Sequence, residues 1–366
     1  MTTATKAGSV TLKMGRRDLL DAVLVVDKAV PTRTARPVLQ NVRIGDGLIS
    51  GTDLELRIDR TIDEQCEPFL VPCDRLLSIL RAAQGDEVTL TAKGSTVTVK
   101  CGRGRWELPT EDVSEFPDAS GGNLTATCRL PVDQFVRAVK STVYATDNES
   151  SRYALGGVLI DVTDGNPTFV ATDGRRLASV QTETDQAVDD CKRIVPAKIV
   201  SIVASLAHGE GSVQIESDGK VVRFELDGVV VTGPLLEGSF PKWRDVVGDL
   251  EGSPAVIERA DLLAAVAAAR IVTSEQSKAI RLEWGEKLVV TARSSEYGES
   301  KVTAPLTTNG DAMPVKLDPE FVMEFLRGLP PDEEPAVEVY CPDPQSRVLL
   351  RCGDYTGVIM PMAEEA

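Results

Sequence analysis

The chain carries one pattern three times at a spacing of about 120 residues, and any fold has to accommodate that repetition. A one-faced helical spacing of apolar residues runs over residues 17–30 (Leu19, Leu20, Val23, Leu24, Val26). It returns over 133–143 (Phe135, Val136, Val139) and over 261–272 (Leu262, Leu263, Val266, Ile271). Strands are expected after each, at 39–44, 157–162 and 280–284. A second helix follows in each unit, at 74–84, 197–208 and 318–329, entered through Val71-Pro72, Val195-Pro196 and, more loosely, Met313-Pro314-Val315. Short strands come next. The first two units close on Glu115-Phe116-Pro117 and Ser239-Phe240-Pro241, the third on residues 358–362.

This period is too long for a solenoid and suits tandem copies of one α+β domain, each with two helices and antiparallel sheet. Boundaries are expected near 1–127, 128–253 and 254–366, so three copies offer six helices. A chain of 366 residues exceeds what one core organises, in keeping with several domains.

The stretch 151–179 reads as two strands, 155–162 and 168–171, joined at the turn Asp164-Gly165-Asn166-Pro167. Thr172-Asp173-Gly174 then breaks the second strand, a corner expected to present Arg175, Arg176 and Leu177 on a fixed backbone. The corner recurs as Thr52-Asp53-Leu54-Glu55, with Thr291-Ala292-Arg293 in the comparable third place.

Little points to catalysis. Seven cysteines are scattered without a Cys-x-x-Cys, which suits reduced, mostly buried thiols rather than bridges or zinc. The single histidine, His208, sits where a helix should end and reads as a C-terminal cap. No Ser-His-Asp set or phosphate-binding glycine loop is present, and a metal-dependent hydrolase built on Asp161, Asp164 and Asp173 lacks calcium-loop spacing. No catalytic residue, metal or cofactor is expected. No apolar run reaches the ~18 residues that span a bilayer, and the N-terminus lacks the apolar core of a signal peptide, so a cytoplasmic protein without membrane partners is expected.

The formal charge of -16 argues against nonspecific adhesion to nucleic acid unless the charge is segregated. Lys28, Arg33, Arg81, Lys140, Lys198, Arg270, Lys278 and Arg327 read as lying late in the helices or just after them. Each alone can be assigned to the helix dipole, at about 0.3–1 kcal/mol. If all six helices share a face, that face is basic and the rest of the surface more acidic. Twelve helices of a dimer, at ~10 Å each, would ring a hole of roughly 28 Å. Duplex DNA, with a radius near 10 Å, fits inside with water around it, held by topology with weak, sequence-blind phosphate contacts.

The chain resembles the bacterial sliding clamps, the beta subunits of DNA polymerase III, over essentially its whole length. The resemblance rests on Arg36-Pro37-Val38-Leu39-Gln40-Asn41, Gly51-Thr52-Asp53-Leu54-Glu55, Ser151-Arg152-Tyr153-Ala154-Leu155, residues 171–178, Glu237-Gly238-Ser239-Phe240-Pro241 and Met360-Pro361-Met362. It implies a head-to-tail homodimeric ring without catalytic activity, a processivity factor around duplex DNA. It also implies a peptide pocket between the second and third domains. By matching motif that pocket would use Arg152, Leu155, Thr172, Gly174, Arg175, Arg176, Leu177, Pro241, Val246, Val358, Met360, Pro361 and Met362. Flexible Met side chains beside Pro and Leu suit an adaptable groove. Expected partners are the polymerase III catalytic subunit, the clamp loader, and other polymerases, ligase and repair proteins bearing linear motifs.

DNA contacts implied in the same way are Arg33, Arg81, Arg103, Arg105, Tyr153 and Lys198, and the implied subunit seam joins Trp106 and Leu108 to Ile271 and Val272 of the next subunit. Departures from the family pattern are Asp245 after Arg244, the acidic ending Ala363-Glu364-Glu365-Ala366, and alanines at 154 and 197.

Overall fold

The computed structural model describes residues 9–118, 123–147, 153–184, 190–276, 278–329 and 335–363. Contacts group the chain into two compact units, one of 1–126 with 211–234, the other of 127–210 with 235–366. The expected second copy therefore contributes strands to both.

In the first unit, the helices Arg16–Asp27 and Cys73–Ala82 pack on each other. Their buried faces, Leu19, Ala22, Val23 and Val26 against Leu76, Leu77, Ile79 and Leu80, are the positions that the 3.6-residue spacing picks out. A four-stranded antiparallel sheet runs in the order Val10–Gly15, Glu87–Lys93, Thr96–Cys101, Gly104–Pro109. A second sheet orders Phe69–Pro72, Asn41–Gly45, Leu48–Thr52, Arg57–Thr61, Val229–Pro234, Val221–Leu226 and Ser212–Ser217. Thr125, whose hydroxyl donates to the Ser217 carbonyl at 3.1 Å, opens its eighth strand, Thr125–Pro131. Sequence-distant strands meet where Arg57–Thr61 pairs antiparallel with Val229–Pro234.

The second unit repeats this plan. Its helices Ala197–Leu206, Val132–Thr142, Pro319–Gly328 and Arg259–Ala269 pack successively, each on the next. Its eight-stranded sheet runs Cys191–Pro196, Gly157–Thr163, Asn166–Thr172, Arg176–Gln181, Tyr355–Ile359, Val348–Cys352, Ala336–Tyr340, Ala255–Glu258. The central joint pairs Arg176–Gln181 with Tyr355–Ile359. A four-stranded sheet, Gly298–Pro305, Lys287–Ser294, Ile280–Glu283, Val315–Leu317, completes the unit.

Several local expectations are corrected. The hairpin turn is Asp164-Gly165 alone, both at positive φ (51° and 74°) as a two-residue antiparallel turn requires, and Asn166 and Pro167 already belong to the strand. Residues 291–293 form no corner in the third copy, because the strand Lys287–Ser294 runs straight through them. The helix starting at Ala197 ends at Leu206 with Ala207 as its cap, so His208 lies beyond it and exposed. Lys198, expected late in a helix or just after one, stands instead in the first turn of this one, because the helix starts at Ala197; there the dipole disfavours a cation. All seven cysteines are free. Among the described residues, no helix is long and apolar enough to cross a membrane, and no group of three or more His, Cys, Asp or Glu could hold a metal ion.

Candidate binding groove

Alternation along a strand sends Leu159 and Asp161 to one sheet face and Val158 and Ile160 to the other. The second face is covered by the helix Val132–Thr142, whose Phe135 meets Phe169 edge-on at 5.9 Å. The first face carries an apolar floor of Leu159, Val170, Leu177, Ile194 and Val358. Register explains the grouping: Leu159 lies opposite both Val170 and Ile194, and Leu177 opposite Val358 across the joint between sequence-distant strands. Over this floor runs an irregular segment whose Leu236, Phe240, Trp243 and Val247 pack against it while staying partly exposed, with Ala154 alongside. An apolar sheet face covered by a narrow strip of chain, rather than by a helix, is the candidate place for a ligand groove.

The strip is held at points along its length. The Leu236 N–H donates to the Ile194 carbonyl at 2.9 Å, and Gly238 takes the bend at φ +124°. The helical turn Trp243–Val247 is tied down by Asp161, a carboxylate with no solvent exposure on the strand next to the outermost one. Asp161 Oδ2 accepts from Trp243 Nε1 at 2.8 Å and from Arg244 Nη1 at 2.5 Å, Oδ1 accepts from the Thr163 hydroxyl at 2.9 Å, and Lys192 Nζ lies 3.7 Å away. Burial opposes ionisation of this carboxyl, but the bonds from Trp243, Arg244 and Thr163 outweigh it and hold the group below the usual carboxylate range. Arg244 also stacks over the Trp243 ring at 4.3 Å. Farther on, Arg347 Nε donates to the Val247 carbonyl at 3.1 Å.

The Thr172 corner forms one bank of the groove. Thr172 Oγ1 accepts from the Gly174 N–H at 3.1 Å and donates to the Arg176 carbonyl at 2.6 Å, while Asp173 Oδ1 accepts from the N–H groups of Arg175 and Arg176 at 2.8 and 3.0 Å. Gly174 sits at φ +87°, which a side chain would disfavour. The first copy builds the same loop: Leu54 N–H to Thr52 Oγ1 at 3.0 Å, and Glu55 and Leu56 N–H to Asp53 Oδ1 at 3.1 and 2.7 Å. There the position of Leu177 is taken by Arg57, which binds Asp59, reaches the Pro117 carbonyl and lies over the Phe116 ring at 5.9 Å. Phe116 is itself buried, so the equivalent site in the first copy is filled by its own side chains.

The three residues that the corner was expected to present on a fixed backbone point in different directions. Leu177 is part of the floor, 3% exposed. Arg176 turns inward: it binds Asp173 Oδ2 at 3.2 Å, pairs with Glu324, donates to the Tyr144 carbonyl at 2.8 Å and lies over the Phe321 ring at 4.4 Å. Its position matches Leu56, a core residue of the first copy. Nearby, the Tyr144 and Tyr355 hydroxyls meet at 2.7 Å and Tyr355 stacks on Phe325 at 4.4 Å, so burial raises both phenols. Arg175 remains exposed, its guanidinium 5.4 Å from the centre of the same Phe321 ring.

Of the other expected groove residues, Leu155 and Thr172 are buried, Pro241 and Val246 are exposed on the strip, and Val358 is in the floor. Met360, Pro361 and Met362 lie beside this corner, anchored by Met360 N–H to the Arg175 carbonyl (2.8 Å) and Met362 N–H to the Lys316 carbonyl (2.9 Å); both methionine side chains are more than a third exposed. Arg152 lies outside the described residues. Sequence reasoning missed Leu159, Val170, Ile194, Trp243, Val247 and Asp161. Period-two alternation could have found the first, and an aspartate inside an apolar strand was a signal for the last.

The expected DNA-contact residues Arg33, Arg81, Arg103 and Arg105 are exposed in the first unit, with Arg105 paired to Glu107 at 2.6 Å; Lys198 is exposed in the second. Tyr153 opens a 3-10 turn. Arg270 pairs with Glu320 and Lys278 with Glu275, which removes some of the expected free positive charge. The seam residues Trp106 and Leu108 alternate with exposed Arg105 and Glu107 on the edge strand Gly104–Pro109. Val272 is half-buried and Ile271 is 77% exposed, in the 3-10 turn Arg270–Val272 that follows the helix Arg259–Ala269.

A family profile described as "DNA polymerase III beta subunit, N-terminal domain" matches residues 10–120, and one described as "DNA polymerase III beta subunit, central domain" matches 129–242. The "Beta sliding clamp" of Haemophilus influenzae is 28% identical over 369 residues, 95% of this chain and 98% of its own length. That of Escherichia coli K12 is 27% identical over 330 residues, 86% of this chain and 89% of its own. A solved sliding clamp from Pseudomonas aeruginosa, bound to griselimycin, has a TM-score of 0.88 at 25% identity, covering 98% of this chain and all of that one. The clamp from Bacillus subtilis reaches a TM-score of 0.90 at 19% identity with the same coverage, a likeness of fold.

Proposed function

The chain belongs to the bacterial DNA polymerase III beta sliding clamps and acts as a DNA sliding clamp; we propose that it does so as a homodimeric ring built from three clamp domains per subunit, 1–127, 128–253 and 254–366. The observation that carries the ring is a rule in the sheets. Each eight-stranded sheet joins the third strand of one half-domain to the third strand of another, Arg57–Thr61 to Val229–Pro234 and Arg176–Gln181 to Tyr355–Ile359. The two four-stranded sheets end on the equivalent strands, Gly104–Pro109 and Gly298–Pro305, each paired on one side only among the described residues. Pairing these edges head to tail between two subunits satisfies the backbone groups and completes two more eight-stranded sheets. Trp106, Leu108, Ile271 and Val272 then flank the seam.

Inside the ring Arg33, Arg81, Arg103, Arg105, Tyr153 and Lys198 meet phosphates. A cation in the first turn of the helix Ala197–Leu206 works against the dipole, which favours a role in binding over one in stability. The groove takes linear motifs of the polymerase III catalytic subunit, the clamp loader and other replication and repair proteins, between the corner 172–177, the strip 236–247 and the methionines Met360 and Met362. The protein tethers and does not catalyse. Clamp loaded on nicked circular DNA is expected to stay bound through gel filtration and to be released when the circle is linearised; retention on the linear form refutes encirclement.

A further inference from the structure

We infer that Asp161 is a positioning residue of the peptide groove, fastening the strip that carries Pro241 and Val246 over the apolar floor; this rests on the groove reading above. The strip could not be held there by hydrophobic contact alone. Its turn Trp243–Val247 is short and has no fully buried residue. Leu236, Phe240, Trp243 and Val247 each leave part of their surface in solvent. Backbone carbonyls fix the strip's two ends, at Leu236 N–H to Ile194 and at Val247 to Arg347, and between them the side-chain bonds of the turn converge on one oxygen, Asp161 Oδ2, which receives the Trp243 indole N–H at 2.8 Å and Arg244 Nη1 at 2.5 Å.

Asp161 is two residues along the strand from Leu159, so the attachment lies on the same face as the floor, directly beside it. The carboxylate is anchored from below by the Thr163 hydroxyl at 2.9 Å, and Thr163 Oγ1 in turn accepts from Arg244 Nη2 at 3.2 Å. Arg244, stacked on Trp243, thus serves as a clasp to the floor rather than as a free cation of the rim. Asp161 has no solvent exposure and the indole N–H is directed at its carboxylate, so Asp161 acts on a ligand only through where it sets Trp243, and hence Pro241 and Val246. Without the fastening the strip would sample positions away from the floor, and a ligand would have to select the closed one.

The test uses the full-length protein and a synthetic peptide carrying the clamp-binding motif of the polymerase III catalytic subunit, with affinities by calorimetry and folding by circular dichroism. Asp161→Asn, which keeps the size but removes the charge, is expected to weaken binding about tenfold; Trp243→Phe, which keeps a ring on the floor but removes the N–H, about threefold or more. Because the Trp243 bond is one of those that Asp161→Asn already weakens, the double variant should bind no more weakly than Asp161→Asn alone, whereas combining Asp161→Asn with Met362→Ala, which is not bonded to the strip, should multiply the losses. Wild-type affinity in Asp161→Asn, or losses from Asp161→Asn and Trp243→Phe that multiply, overturns the inference. Should Asp161→Asn not fold, wild-type affinity in Trp243→Phe alone overturns it. A wild-type protein that does not bind the peptide overturns the groove reading itself, and the inference with it.

Discussion

Replacing Arg176 by alanine should damage the fold of the second unit before it damages anything else. The guanidinium is 11% exposed and joins the corner at Asp173 to the helix Pro319–Gly328 at Glu324, to the carbonyl of Tyr144, and to the faces of Phe321 and Tyr144 at 4.4 and 5.3 Å. A hydrogen bond to a charged group contributes about 1.5–3 kcal/mol, and a cation–π contact about 1 kcal/mol. Breaking a fully buried pair costs about 3–5 kcal/mol. The Glu324 side chain is 34% exposed and can return to water, which brings the loss to about 3 kcal/mol. For a unit of this size each kcal/mol moves the midpoint by roughly 2–4 °C, so scanning calorimetry should find its transition lowered by roughly 6–12 °C. Glu324→Gln should cost about a third as much, since Arg176 keeps Asp173 and the Tyr144 carbonyl. An Arg176→Ala protein melting within about 2 °C of the parent would refute the role of this arginine as an inward fastener.

Leu54 sits at φ +83° and 51% exposed, a backbone region that costs a non-glycine residue about 1–2 kcal/mol, so Leu54→Gly should raise the denaturation midpoint slightly after its own entropic loss of about 0.5–1 kcal/mol. Gly174→Ala, at φ +87° with nothing within 4 Å of the added carbon, should cost about 1 kcal/mol through the backbone alone, read by urea unfolding. Ile271→Asp, at a site 77% exposed in the single chain, should leave the fold intact yet yield monomers in sedimentation; a stable dimer counts against the proposed seam, as would one in the harsher Val272→Asp. The Asp161 carboxyl is depressed below its unfolded value of 3.8, so its contribution is complete above that value and is lost as the pH falls through the lower folded one; the stability gap between the parent and Asp161→Asn should therefore be widest near neutrality and close below about pH 4. A gap independent of pH would contradict that linkage.

The six long helices among the described residues were legible because each buries one stripe, and the spacing of Leu19, Val23 and Val26 or of Phe135 and Val139 records that stripe directly. The Thr-Asp corners were legible for a similar reason, since a threonine hydroxyl and an aspartate carboxylate cap the same two turns of backbone in both copies. The lack of a corner at residues 291–293 was not legible, because nothing in their identities shows that the ladder runs on through them. The inward turn of Arg176 was hidden too. An arginine following a corner looks solvent-bound until Glu324, 148 positions later, comes to meet it. The groove floor was half visible: Leu177 and Val358 came from motif, while Leu159, Val170 and Ile194 share a surface only through register, which strand sequences do not print.

The joints between half-domains are made by peptide groups, five rungs between Arg176–Gln181 and Tyr355–Ile359 and four between Arg57–Thr61 and Val229–Pro234. Every residue except proline brings the same donor and acceptor to such a rung. Mutation can therefore wander along these borders, provided side chains still point to the proper side, without loosening the architecture. Selection is left to act on the two faces of each border, where a change at Val358 alters what the surface can hold while the scaffold beneath it stays put.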